Sequence, residues 1–403
     1  MEINEMKEND NRNGQPSKKL IGGMIAMAVV LFLVISYIFV MYTDNAFISK
    51  WRTIYIETAM STKTHQWLAE WFIPHSVIEE VMENKREELE RQRDNNSDWG
   101  DSGEFDDENV AGERDFYKVY YELDTEEFKL YLKQHPELLS DGYENLVIED
   151  LEGELGLMTA QGDPLLVVNA KEKCLIIRLS GSGYEGKMAI VKDSSKVTLA
   201  KSEMLGSYGQ EVETYAKKYD ALIAINGSMF SDAGGHGSGG IVRGCLVIDG
   251  VDYGEPKGDD WKFFGMKKDD DHLNIVTYSP SIVNEYRWAI QCYPALVING
   301  NSIVDGTFGM GIHPRAAIGQ NLRGDFFLLV IDGRQVGYSL GCTVSDCAYH
   351  MAKYDAYQAV NIDGGSSAVM FYLGQQITKS SSATGRGRYI PDSIMVLRQN
   401  SGN

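Results

Sequence analysis

The sequence predicts an α+β fold: a mixed β-sheet core with a few helices, preceded by one transmembrane helix and a helical stalk. Three observations carry this. Leu20–Tyr42 runs for about 23 residues without a charge, the length a helix needs to span a bilayer. From Leu165 onward, short β-branched and aromatic runs recur between Gly, Asp and Asn. Helical patterns interrupt these runs without the regular alternation of a doubly wound sheet.

Residues 1–19 are polar and read as a disordered cytoplasmic tail. The apolar run 20–42 ends in Ile38, Phe39, Val40, Met41 and Tyr42, not in the small-x-small pattern of a cleaved signal peptide, so it reads as a retained anchor. Lys18 and Lys19 abut its N-terminal side, which places the N-terminus in the cytoplasm and the C-terminal domain outside the cell membrane. Residues 43–93 read as a membrane-proximal helical region. Within it Trp51–Ile73 is rich in Trp, Ile, Met and Phe, and offers a surface to the membrane or to a partner protein. Pro74–Arg93 sets Val77, Ile78, Val81 and Met82 at helical spacing and then becomes almost wholly charged, as a solvated stalk does. Asp94–Asp115 is acidic and poor in aliphatics, and reads as a disordered linker ahead of a domain at 116–403.

In that domain Thr125–His135 reads as a helix that begins near Asp124 and stops at Pro136. Strands are expected at Leu165–Asn169, Cys174–Leu179, Met188–Val191, Leu222–Ile225, Ile241–Ile248, Ile275–Tyr278, Ala295–Ile298, Ala316–Ile318, Phe326–Ile331, Ala359–Ile362, Ala368–Tyr372 and Ser393–Leu397. Helices are expected at Gly209–Tyr219 and at Val344–Tyr354, the latter capped by Thr343. A net charge of −20 argues against nucleic acid, whose binding rests on neutralising phosphate. Cys174, Cys245, Cys292, Cys342 and Cys347 read as small buried apolar residues; Cys342 and Cys347 are close enough in sequence to bridge. No Cys/His spacing matches a zinc site.

Chemistry concentrates where apolar runs end in polar residues and glycine. Ala359–Val369 (AVNIDGGSSAV) delivers Asn361 and Asp363 to the end of a strand, then turns at Gly364 and Gly365 before Ser366. Two glycines beside a carboxylate let main chain approach a ligand and free N–H groups to face it. Leu222–Phe230 (LIAINGSMF) ends in Asn226 and Gly227, Phe326–Arg334 (FFLLVIDGR) in Asp332, and His313–Gly319 (HPRAAIG) begins a strand at Arg315.

In this order the segments resemble the phosphodiester glycosidase family, over roughly Leu157 to the C-terminus and most densely from Leu222 to Val369. His236-Gly237-Ser238-Gly239-Gly240 is similar to a glycine-rich segment of the family's bacterial branch, whose members often follow one transmembrane helix and are sometimes linked to exopolysaccharide. The resemblance implies a hydrolase of sugar 1-phosphodiesters acting on cell-envelope or exopolysaccharide material. Such a substrate wants a cation and N–H donors at phosphate, a carboxylate near the anomeric carbon, and amides around sugar hydroxyls. Asp363 and Asp332 are the candidate catalytic carboxylates. Arg315, Asn226, Gly227, Asn361, Gly364, Gly365, Ser366 and His236 are the candidates for binding. Metal dependence is left open by this chemistry: Asp332, Asp363 and Asn361 would offer oxygen ligands to a hard divalent ion, and no other cofactor is expected. The alternative is a non-catalytic glycan-binding scaffold that uses the same pocket.

Overall fold

The computed structural model describes residues 18–62, 64–100, 110, 112–232, 237–258 and 260–399. The chain divides into two compact units, one ending at Arg52 and one running from Thr53. The first holds helix α1 (Lys18–Tyr42), whose side chains are almost all exposed and whose stretch Lys19–Tyr42 has a mean hydropathy of 2.8. Its open C-terminal carbonyls are met by Arg52, whose guanidinium donates to Val40 O (2.9 Å) and Thr43 O (3.2 Å). Helix α2 (Ala46–Ser61) starts on the Asn45 carboxamide, which accepts the Phe47 and Ile48 N–H groups.

The second unit is α+β, and every pairing between its named strands is antiparallel, so its sheets are not mixed. The largest sheet has nine strands, in the order Val147–Glu149, Leu165–Asn169, Cys174–Gly181, Tyr184–Val191, Phe326–Ile331, Arg315–Asn321, Ala356–Asn361, Ala295–Ile298 and Asn301–Ser302. Its central strands are buried on both faces. Along Phe326–Ile331 the side chains of Phe327, Leu329 and Ile331 enter one core, and those of Phe326, Leu328 and Val330 another. Helix α8 (Val344–Lys353) covers the first core, its start fixed by a capping box between Thr343 and Asp346. Helix α6 (Thr125–Gln134), capped by Asp124, adds Phe128 and Leu132 to the same side.

The second core is shared with two five-stranded sheets. One runs Asn274–Thr277, Lys262–Lys267, Tyr286–Cys292, Leu246–Ile248, Val251–Asp252; the other runs Gln375–Gln376, Met370–Tyr372, Ala221–Asn226, Asp392–Leu397, Val197–Lys201. The strands at 262–267, 286–292 and 197–201 went unread in the sequence. The first two carry Lys262, Gly265, Arg287 and Gln291, which break the apolar signal, although their cross-strand neighbours bury them well. The strand expected from Ile241 begins only at Leu246.

Residues 53–100 do not stand apart from the sheets. Helix α4 (His75–Arg91) buries Val77, Ile78 and Val81, and Gln92 just beyond it donates to Ala295 O and Ile303 O, both at 3.1 Å. Lys262 is 1 % exposed and its ammonium donates to Arg93 O (2.9 Å) and Asn95 O (2.5 Å). Burial pushes that Lys down to about 8, so these carbonyls are what keep a cation tolerable there. Trp99 stacks on His272 and Tyr357 and donates to Leu273 O. The described part of the acidic stretch is therefore docked; residues 101–109 and 111 lie outside the described residues, as does the tail at 1–17.

A chain beginning at Phe116 would lose α4 with its buried Val77, Ile78 and Val81 and would uncover the surface on which residues 92–99 dock, a loss on the order of 3–5 kcal/mol. It should melt at least about 5 °C below a chain beginning at Thr53. Calorimetry on the two truncated chains checks this; equal melting temperatures would mean that residues 53–100 contribute nothing to the fold.

Candidate functional site

The site forms where strand ends from two sheets meet. Asn226, at the end of its strand and fully buried, donates from Nδ2 to Asp363 O (2.6 Å) and accepts the Val369 N–H (3.3 Å). The Asp363 N–H returns a bond to Gly227 O (3.3 Å). Gly227 is required by space: a Cβ there would lie 2.0 Å from the Asp392 carboxyl. Gly365 is required by conformation, with φ +63°, and a Cβ there would sit 3.3 Å from the Arg334 guanidinium.

Above this junction lies a cavity of about 510 Å³. Its walls carry Asp363, Asn361, Gly364, Gly365, Ser366 and Arg315, so the structure brings these expected residues together. Asn226 and Gly227 sit behind it and hold its wall. His236 lies outside the described residues. Asp332 does not reach the cavity. Its carboxylate accepts the Tyr338 hydroxyl (2.8 Å) and the Lys379 N–H (2.9 Å), and burial pushes its pKa up to about 6. Ser380, next along, donates to Ser366 O (2.9 Å), so Asp332 steadies the glycine turn from outside. The oxygen ligands suggested for a divalent ion are thus not gathered, and among the described residues no cluster of three His, Cys, Asp or Glu side chains is placed to hold a metal.

Arg315 is 3 % exposed and its guanidinium donates to carbonyls: Nε to Cys342 O (3.3 Å), Nη2 to Met310 O (3.1 Å) and Gly311 O (2.8 Å). The fork therefore shapes the 310–312 loop while the residue still lines the cavity. The glycine turn gives fewer N–H donors than the sequence suggested, because the Gly365 N–H is taken by Pro314 O (2.9 Å).

The wall also carries cations that the sequence reading did not select: Lys85, Arg243, Arg334 and Arg388. Arg388 is paired with Asp232 (2.9 Å). Lys85 comes from α4, and burial, then the Arg315 charge, lower its pKa. Arg334 donates to His313 Nδ1 (3.2 Å), which fixes the neutral tautomer with the proton on Nε2. That Nε2 is buried with no partner among the described residues, and burial together with Arg315, Arg334 and Lys85 holds the ring well below the usual histidine range. His313 is thus a neutral donor on the cavity wall. The clue lay in spacing, since His313 and Arg315, two apart at a strand's start, share a side.

A cavity of this size, rich in cations, with Asp363 and the Arg388-paired Asp232 as its carboxylates among the described residues and flanked by Tyr293 and Phe230, suits an anionic sugar derivative. Residues 219–397 match the family model described as phosphodiester glycosidase. The segment is a phosphodiester glycosidase domain. No curated protein matches the chain. Among solved structures, the chain is similar to the catalytic domain of zebrafish N-acetylglucosamine-1-phosphodiester alpha-N-acetylglucosaminidase, auto-inhibited by its pro-peptide. There the identity is 19% and the TM-score 0.46, over 56% of this chain and 82% of that one. A hypothetical protein from Synechocystis shares 13% identity at a TM-score of 0.45, over 60% of this chain and 65% of that one. A putative exported protein from Burkholderia pseudomallei shares 14% at a TM-score of 0.41, over 53% and 74%.

The glycosidase domain contributes two further groups near the site. Cys342 and Cys347 are reduced and buried, with sulfurs 3.5 Å apart. Asp392, at the start of the last strand and fully buried, accepts the Ser228 N–H (2.8 Å); burial and, least, the Asp363 charge push its pKa up to about 7.

The sign of that last shift gives a test. A carboxyl raised in the folded state favours folding in its protonated form, so its contribution is present below about pH 4 and lost as pH rises through about 7. Asp392→Asn keeps the neutral shape. Its stability advantage over the wild type should grow between pH 5 and pH 8, to the order of a few kcal/mol. Urea unfolding of both proteins at the two pH values measures it; a constant difference would contradict the assignment.

Proposed function

We propose that this phosphodiester glycosidase is anchored by α1 and cleaves a sugar 1-phosphodiester of the cell envelope or of exopolysaccharide, outside the membrane. The observation that carries the reading is the convergence of Asp363 with Arg334, Arg315, Lys85 and the neutral His313 on one cavity. A phosphodiester needs its charge matched, and the planar forks of Arg334 and Arg315 suit phosphate oxygens. The His313 Nε2 proton adds a neutral donor. Asp363 faces the anomeric carbon as nucleophile or electrostatic stabiliser. The leaving phosphate is already acidic, so stabilising the oxocarbenium-like centre matters more than protonating the leaving oxygen. The second carboxyl in electrostatic contact with Asp363 is Asp392, not Asp332. Burial raises the Asp392 pKa to about 7, so its carboxyl is protonated below neutral pH and does not add a second full negative charge beside Asp363 there. The cations of this wall favour an anionic diester over the neutral glycan that a scaffold protein would bind.

Asp363→Asn keeps shape and loses charge. Turnover of an N-acetylglucosamine 1-phosphodiester should fall at least about a hundredfold. Asp332→Asn, acting only through the turn it steadies, should cost less than about tenfold. Release of the phosphomonoester, read with a coupled phosphatase, measures both; a folded Asp363→Asn protein with near-normal turnover would remove Asp363 from the mechanism.

Protease added to intact cells stripped of their wall should digest the domain, as the Lys18-Lys19 flank of α1 predicts. Digestion only after lysis would reverse the topology.

A further inference from the structure

Part of the cavity wall is built by Met60, Ser61, Thr62, Thr64, His65 and Gln66, from the end of α2 to the start of the short helix α3 (Trp67–Glu70). This hairpin is tied to itself: Tyr55 Oη donates to Leu68 O (2.9 Å), and Gln66 Nε2 donates to Met60 O (3.1 Å). Ala69 and Ile73 point inward and are buried, while Trp71 is 76% and Phe72 56% exposed. Trp67 and Tyr55 are exposed beside them, and the Trp67 and Trp71 rings touch at 5.3 Å. Four large exposed aromatics near one another, three of them with a polar edge, are costly in water and suited to a headgroup layer. Chain length brings a membrane within reach. Residues 43–52 are all that lie between the end of α1 and Thr53, a span of at most about 35 Å.

We propose that Tyr55, Trp67, Trp71 and Phe72 seat this hairpin in the headgroup layer of the membrane that α1 crosses. The cavity then lies next to the lipid surface. The diester it takes is one carried by the bilayer, with a lipid or lipid-held chain on the far side of the phosphate. The substrate half of this rests on the activity proposed above; the docking half rests only on the anchoring by α1 proposed there.

The test uses the full-length protein in phosphatidylcholine–phosphatidylglycerol vesicles, with Trp71→Ser/Phe72→Ser as the variant. Neither residue lines the cavity. Tryptophan quenching by lipids brominated on the acyl chains reports docking directly: the variant should lose quenching relative to the wild type, and equal quenching would overturn the proposal, as a protein partner on this face would produce. Turnover reports the substrate. A long-chain lipid-carried glycosyl phosphodiester should be cleaved at least about tenfold more slowly by the variant, the loss that removing about 1.4 kcal/mol of surface binding gives. A water-soluble short-chain diester should be cleaved at the wild-type rate. Equal rates on the lipid-carried diester, or equal losses on both, would overturn the substrate half. If wild-type protein cleaves neither diester, the hydrolase reading itself falls, and quenching still decides the docking.

Discussion

The site depends on one clamp, the pair of hydrogen bonds between Asn226 and Gly227 on one sheet and the main chain of Asp363 on another. Each sheet alone ends in an ordinary turn. Joined, they fix where the Asp363 carboxylate stands, because its N–H and C=O are both committed. The Asn226 amide also takes the Val369 N–H, so the chain on leaving the glycine turn is held by the same side chain that holds its start. A buried amide with these bonds made is strongly directional, and an unmade one would be costly.

Charge then selects what the cavity accepts. Arg315 is buried and spends most of its fork on carbonyls, which makes it both a strut for the 310–312 loop and a fixed positive field. Burial first, and then that field with Arg334 and Lys85, keeps His313 neutral. The N-terminal helices take part in this. Thr58 accepts the Ile312 N–H (3.0 Å), and a Cβ at Gly311 would lie 2.4 Å from the Thr58 hydroxyl, so α2 presses on the loop that Arg315 holds from the other side.

Much of this was legible in the sequence, and the reasons for the rest are physical. Apolar runs such as Phe326–Ile331 and Leu165–Asn169 mark strands because both faces are covered. The strand-end motifs mark the cavity, since Asn361, Asp363 and the glycine turn come from one continuous segment. Asp332 misled because its Asp-Gly pattern copies that of Asp363, while its carboxylate is spent on Tyr338 and Lys379. Lys85, Arg243 and Arg388 were hidden because no local pattern sets them apart from solvated surface charges. Pro74–Arg93 and residues 94–100 looked like stalk and linker because they are largely charged or polar, and their docking rests on carbonyls and a buried Lys262 that composition does not reveal.

The central claim is that Asp363, Arg334 and His313 grip one diester between them. A structure with a non-hydrolysable glycosyl phosphonate ester tests it most directly. The account predicts phosphonate oxygens on the Arg334 guanidinium and the His313 Nε2–H, with the anomeric carbon facing the Asp363 carboxylate. A ligand seated against Asp332 and Tyr338, or anywhere outside the cavity, would contradict it.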